Sequence, residues 1–233
     1  MKKSAILAFS LLVFLTAFAS FPLNLPGLSW EEVYRFDKCN VFVIEFYAKN
    51  NELMQTRNIR IQYQSDGENY MVRNLSSPGN GTETIIDKKN EVAIQMFGTG
   101  GDAKPMYNAG GFKYPTPEEL KKLEVVPTTE SKKICGYNCK KYTYTYKKIF
   151  GEVWLTDEVK LPNDIGVFRA AKMAALHNTL SVPGFVMEMT TEDAKGGKTL
   201  MKTVSLQNDE KYSIDLKGVD MNKAINKINY YTF

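Results

Sequence analysis

The chain is poor in the residues that make chemistry. It has one histidine, His177, three cysteines and two tryptophans in 233 residues. No Gly-x-Ser-x-Gly is present, so a hydrolase nucleophile on a sharp turn has no anchor in the sequence. A zinc site wants four ligands, which one histidine and three cysteines at these spacings do not supply. Gly197-Lys198-Thr199 resembles the end of a phosphate loop, but Glu192 stands where that motif needs its first glycine. Strong charge of one sign is also missing. The net charge is +4 with basic and acidic residues interspersed, and losing Lys2 and Lys3 would bring it nearer zero. No basic surface for nucleic acid follows from that balance. Carboxylate pairs exist at Glu31/Glu32, Glu118/Glu119 and Asp157/Glu158. The first two read as helix N-terminal charges and the third as a solvated turn, so no enzyme is expected and no cofactor.

Long apolar runs are absent except at the start. Lys2 and Lys3 precede an uncharged stretch, residues 5–19, that ends in Ala17-Phe18-Ala19. This is the pattern of a cleaved signal peptide over residues 1–19, followed by a single domain over 20–233 with its core in 40–216. An uncleaved anchor is the alternative, although fifteen residues are short for a span of about 20. No transmembrane segment is expected after cleavage, and the location is periplasmic or extracellular. Export permits disulfides. Cys135 and Cys139 flank the turn-prone Gly136-Tyr137-Asn138 and form one candidate pair; Cys39–Cys139 is the competitor, and three free thiols is the third arrangement.

What is present is alternation. Tyr142, Tyr144 and Tyr146 alternate with Thr143 and Thr145, which in a strand puts the rings on one face and the hydroxyls on the other. A partner strand over 151–156 carries Trp154. Alternation or apolar strand patterns also mark 40–48, 58–64 with 69–73, 82–87 with 91–97, 185–189 with 199–206, and 212–216. Helices are expected over 29–36, from the Ser29-Trp30-Glu31-Glu32 cap, over 116–123 behind Thr116-Pro117, over 163–180, and over 220–228. His177 falls late in the third of these, where it suits the C-terminal dipole. Residues 98–111, rich in glycine, read as a long loop. The fold class expected is mainly β (α+β): a curved antiparallel half-barrel sheet with a few covering helices.

Several stretches, in order, resemble a secreted bacterial domain of unknown function of the LolA/LolB-like, outer-membrane lipoprotein carrier-like type. They are residues 84–96 (TIIDKKNEVAIQM), 134–146 (ICGYNCKKYTYTY) and 153–162 (VWLTDEVKLP); residues 182–190 (VPGFVMEMT) resemble the signature of the neighbouring GLPGLI family. Cys135 departs from that pattern. The resemblance implies a half-barrel whose concave face binds a lipid or other apolar ligand, with a lipid or acylated protein as partner. No ligand contact can be carried over residue by residue. The aromatic and methionine residues on the strands supply the candidates for such a cavity: Tyr142, Tyr144, Tyr146, Trp154, Phe185, Met187 and Met189. The competing function is an envelope interaction or structural protein that uses a tyrosine-rich strand face as a contact surface.

Overall fold

Alternating apolar side chains cannot be buried by one strand alone, and here they are buried by a very large sheet. The computed structural model describes residues 25, 27–65, 69–75, 82–98, 104–113, 125–146, 148–161, 182–223 and 228–229. Fifteen strands run in chain order: β1 Val33–Phe36, β2 Lys38–Tyr47, β3 Leu53–Tyr63, β4 Asn69–Asn74, β5 Thr82–Asp87, β6 Val92–Phe97, β7 Met106–Lys113, β8 Val125–Ile134, β9 Tyr137–Tyr146, β10 Ile149–Thr156, β11 Phe185–Glu192, β12 Lys198–Gln207, β13 Tyr212–Asp215, β14 Met221–Lys223 and β15 Ile228–Asn229. A 13-stranded sheet has the order β14-β7-β6-β5-β4-β3-β2-β12-β11-β10-β9-β8, with β15 also on β7. All its pairs are antiparallel except β14 and β15, which run parallel to β7. The outer strands β14 and β8 do not pair, so the sheet is not closed into a barrel. A second, two-stranded sheet pairs β1 with β13.

The mainly β, antiparallel expectation holds. No helix occurs among the described residues, and the expected helices at 116–123 and 163–180, with His177, lie outside them, as does the signal segment 1–19. Two helix expectations are corrected. Residues 33–36 form β1 because Tyr34 and Phe36 are buried while Arg35 between them is exposed, a period of two that pairing with β13 exploits. The cap-like Ser29-Trp30-Glu31-Glu32 is overridden by that pairing, and the Glu32 carbonyl accepts from the Leu216 amide instead. Residues 221–223 and 228–229 are strands on β7 rather than parts of a terminal helix. The expected loop 98–111 ends early, because β7 begins at Met106 and takes Gly110 and Gly111 into the ladder opposite Ala93 and Val92.

Register divides the sheet into two faces. On the inner face, Tyr142 lies opposite Val153, Val153 opposite Met189, Met189 opposite Met201 and Met201 opposite Ile44. Every member of this row but half-buried Tyr142 is buried. The inner faces of β3 to β6 continue the cluster with Ile61, Tyr63, Tyr70, Val72, Ile86 and Ala93. On the outer face, Met71, Ile85, Ile94 and Ala109 line up across β4 to β7, and Tyr34, Phe36 and Leu216 of the small sheet and its flank pack with them. Strands β4 and β5 are therefore buried on both sides. The small sheet covers only this end.

The β8–β9 hairpin turns on two residues. Ile134 pairs with Tyr137, and Cys135 and Gly136 both take positive φ (50° and 86°), the type I′ geometry that matches strand twist. The turn is thus Cys135-Gly136, not Gly136-Tyr137-Asn138. Cys139 falls opposite Lys132, two residues into β9, so the candidate Cys135–Cys139 bridge does not form: all three cysteines are free, Cys39 and Cys139 buried and Cys135 exposed.

Candidate ligand cleft

The tyrosine strand β9 places its side chains as alternation requires. Tyr144 is 3 % exposed in the core and Tyr142 is packed at its edge; Thr143 and Thr145 face solvent. Of Tyr146 only the backbone is described. Phe185, Met187 and Met189 are fully buried in the same core. Trp154, 8 % exposed, belongs to the same buried cluster, but its register neighbours are Lys141 and Glu188, on the outer face. Six of the seven candidates thus share one packed cluster: Tyr144, Trp154, Phe185, Met187 and Met189 are buried in it and Tyr142 packs against it, while the Tyr146 side chain lies outside the described residues. Residue chemistry groups Trp154 with the tyrosines, whereas the register Val153–Tyr142 puts it one residue out of phase with them.

An open cleft of about 690 Å³ lies on the outer face, beyond the edge of the small sheet. Cross-strand register builds its floor. One row runs Thr145, Phe150, Glu192, Lys198, Tyr47, each directly opposite the next across β9, β10, β11, β12 and β2. The next row runs Thr143, Glu152, Thr190, Leu200. A third row, outside the cleft, runs Lys141, Trp154, Glu188, Lys202. Phe150, next to the β9 end of the first row, is 48 % exposed. An exposed phenylalanine on a strand is unremarkable singly; here Leu200 and Tyr47 share its cleft.

The polar groups around the floor are held in place. Lys198 Nζ lies 3.7 Å from Glu192 Oε2 and donates to Asn51 Oδ1 at 3.0 Å. Tyr47 donates its hydroxyl to Glu45 Oε2 at 2.6 Å, and this bond raises the phenol's pKa. Lys141 bridges Glu152 (2.8 Å) and Glu130 (2.9 Å), and the hydrogen bonds to these two carboxylates raise its pKa. Beside it, Lys132 Nζ lies 4.1 Å from the Trp154 ring centroid and 2.7 Å from Glu188 Oε1. Such a cation over an indole face is worth about 0.5–2 kcal/mol. Trp154 is explained by this packing and needs no ligand.

Below the floor, Gly151 is opposite Tyr144 on the inner face. A Cβ at 151 would collide with the Thr190 carbonyl oxygen and lie 2.8 Å from the Tyr144 hydroxyl oxygen. The absent side chain lets the Tyr144 hydroxyl reach across to donate to the Thr190 carbonyl at 2.6 Å, with Thr191 Oγ1 3.0 Å away. Burial raises the Tyr144 pKa above the usual phenol value, so it stays a neutral donor. Asp157 and Glu158 are turn residues, as their sequence context implies: Glu158 Oε1 accepts from the Asn138 amide (3.2 Å) and side chain (2.8 Å). Among the described residues no group of three or more His, Cys, Asp or Glu could hold a metal ion.

Phe150, Leu200 and Tyr47 carry no motif, and only their register marks them. Phe150 lies opposite Thr145 on the hydroxyl face, a phase set by the pairing of Ile149 with Tyr146.

No protein-family model matches the chain, and no curated protein matches it. Among solved structures, it is similar to PNGF-II in two crystal forms. In the C2 form the TM-score is 0.41 at 15 % identity, over 81 % of this chain and 31 % of that one. In the P21 form the values are 0.43, 15 %, 83 % and 32 %. The chain thus spans about a third of the length of PNGF-II. A likeness this distant carries no functional argument.

Proposed function

We propose that this chain is an exported binding protein that takes an elongated, amphipathic ligand on the outer face of its sheet. The observation that carries this reading is the 690 Å³ cleft with half-exposed Phe150 in its floor and fixed polar groups around it. Ligand sites are commonly concave, apolar at the base and equipped with a few positioned polar groups. The volume lies in the usual range of about 300–1,000 Å³. Export rests on the charged start, apolar run and Ala-x-Ala of residues 1–19. The lipid-carrier reading implied by the family resemblance is retained as one source of such a ligand, relocated from the filled inner face to the outer cleft.

The edge strands do not favour an interaction protein that adds strands. β8 has one partner, β9, but carries Pro127, a register break between Pro127 and Ser131, and Lys132 and Lys133. These features blunt an edge against pairing.

The test is native mass spectrometry of the protein purified from its own envelope, followed by extraction and identification of any bound molecule. Retention of a molecule by the wild type and its loss from Phe150→Asp, with unchanged circular dichroism, supports the cleft. Equal retention by both forms, or an apo mass with no uptake of any amphipathic probe, rejects it.

A further inference from the structure

The shape of the cleft narrows the ligand class, on the premise that the cleft is the binding site. Its floor crosses β9, β10, β11, β12 and β2, four strand spacings, or about 19 Å at 4.8 Å each. A recess of about 690 Å³ spread over that length suits one extended chain lying across the strands. Because it runs across the strands, its floor presents side chains and no free backbone ladder, so a peptide could not bind here by adding a strand.

The side chains then separate a hydrocarbon from a hydroxylated chain. Phe150 and Tyr47 share a row three strands apart, about 14 Å. Between them stand Glu192 and Lys198, and Thr143 and Glu152 flank the row. An acyl chain along this path would strip water from two carboxylates and an ammonium and return no hydrogen bonds. A chain bearing hydroxyls supplies donors to Glu152 and Glu192 and acceptors to Lys198 and the threonines. The C–H faces of its rings rest on the two aromatic rings. The cationic and anionic groups of the cleft are paired with each other or with neighbours, so no charge is called for on the ligand. We infer that the cleft binds a neutral, linear polyhydroxylated chain, an oligosaccharide, with Phe150 and Tyr47 as its two ring platforms.

The experiment titrates the full chain with maltohexaose, cellohexaose and hexa-N-acetylchitohexaose, and separately with a fluorescent fatty acid, by calorimetry and native mass spectrometry. The expected result is binding of at least one hexasaccharide, weakened tenfold or more by Phe150→Ala and by Lys198→Met. Trisaccharides of the same series are expected to bind at least tenfold more weakly, because they cannot reach both platforms. Fatty acid binding that depends on Phe150, with no hexasaccharide binding, overturns the oligosaccharide and leaves the cleft standing. Failure of all four probes at about 1 mM, a concentration that reports even weak sites, overturns both. Hexasaccharide binding indifferent to Phe150→Ala and Lys198→Met places the sugar elsewhere and also overturns the inference.

Discussion

Gly151→Ala is the smallest change that should do serious damage to this sheet. The new methyl would be driven into the Thr190 carbonyl and against the Tyr144 hydroxyl oxygen, 2.8 Å away. Overpacking of this kind costs about 1–3 kcal/mol. To relieve it, Tyr144 must swing away and give up its bonds to the Thr190 carbonyl (2.6 Å) and Thr191 Oγ1 (3.0 Å), each worth about 1 kcal/mol. Against this stands a gain of about 0.5–1 kcal/mol from restricting the unfolded backbone. The balance is a loss of about 3 kcal/mol. Tyr144→Phe, which removes only the hydroxyl, should lose about 1–2 kcal/mol. The two effects share the same hydrogen bonds, so the double variant should fall short of their sum by about 1 kcal/mol. Urea unfolding is the assay. At an m-value of about 3 kcal/mol/M the glycine variant's midpoint should drop by about 1 M with the slope unchanged. A change below about 0.5 kcal/mol for Gly151→Ala, or strict additivity with Tyr144→Phe, would refute the claim that the missing side chain is what seats the tyrosine.

Three further outcomes follow from buried groups. Cys39 is 1 % exposed, and burial first, then its hydrogen bond to Glu210, pushes its thiol up to about 12; Cys139 is buried and shifted upward by desolvation as well. Native alkylation followed by peptide mapping should therefore label Cys135 well before the other two. The same shifts give a pH dependence: a group whose pKa is raised on folding stabilises below its unfolded value, about 8.5 for a thiol, and loses that contribution as pH climbs toward the folded value. Stability should fall between pH about 9 and about 12, and Cys39→Ala should flatten that fall; parallel slopes for the two proteins would contradict it. Arg60 and Arg73 are directly opposite one another on the outer face, and Glu83, 4 % exposed, contacts Arg73. Glu83→Gln should lose about 2 kcal/mol in urea unfolding, since one guanidinium is left beside a like charge with Glu210, 3.8 Å from Arg60, as the remaining carboxylate among the described ion pairs.

The strands were legible in sequence wherever one face was buried and the other was not. Residues 142–146 are the clearest instance, because tyrosine and threonine differ enough in polarity to mark the two faces. Strand β8 was not legible: VVPTTESKKI has neither alternation nor a run, and it is a strand because β9 offers it a ladder. The same is true of β1 and β7, where pairing outweighs a helix cap in one case and glycines in the other. The site was less legible than the fold. Side-chain type picked out Trp154, Phe185 and the methionines, yet type does not say which face a residue takes, and a single-residue phase difference separates core from surface. Phe150 and Leu200 look like core residues in the sequence and become floor residues only because their rows run through exposed threonines and charges.

Why the cleft lies where it does follows from the small sheet. The outer face of β4 to β7 is apolar, and β1 with β13 covers it through Tyr34, Phe36 and Leu216. The cover stops at a polar seam where Arg73 donates to the Tyr212 hydroxyl at 3.1 Å and Gln62 donates to Glu210 Oε1 at 3.3 Å. Cys39, buried beneath this seam, is held in its neutral form first by the loss of water and then by Glu210. Past β2 the same face must live in solvent, and its rows change accordingly from Met71, Ile85 and Ile94 to threonine, glutamate and lysine. Uncovered apolar residues on such a face are selected against by association, so Phe150, Leu200 and Tyr47 surviving together in one recess of that face is the feature that calls for a ligand. If the recess were only a fold in a solvated surface, replacing all three by threonine would raise solubility and leave every binding measurement unchanged; on the binding reading, the triple variant folds and the ligand is lost.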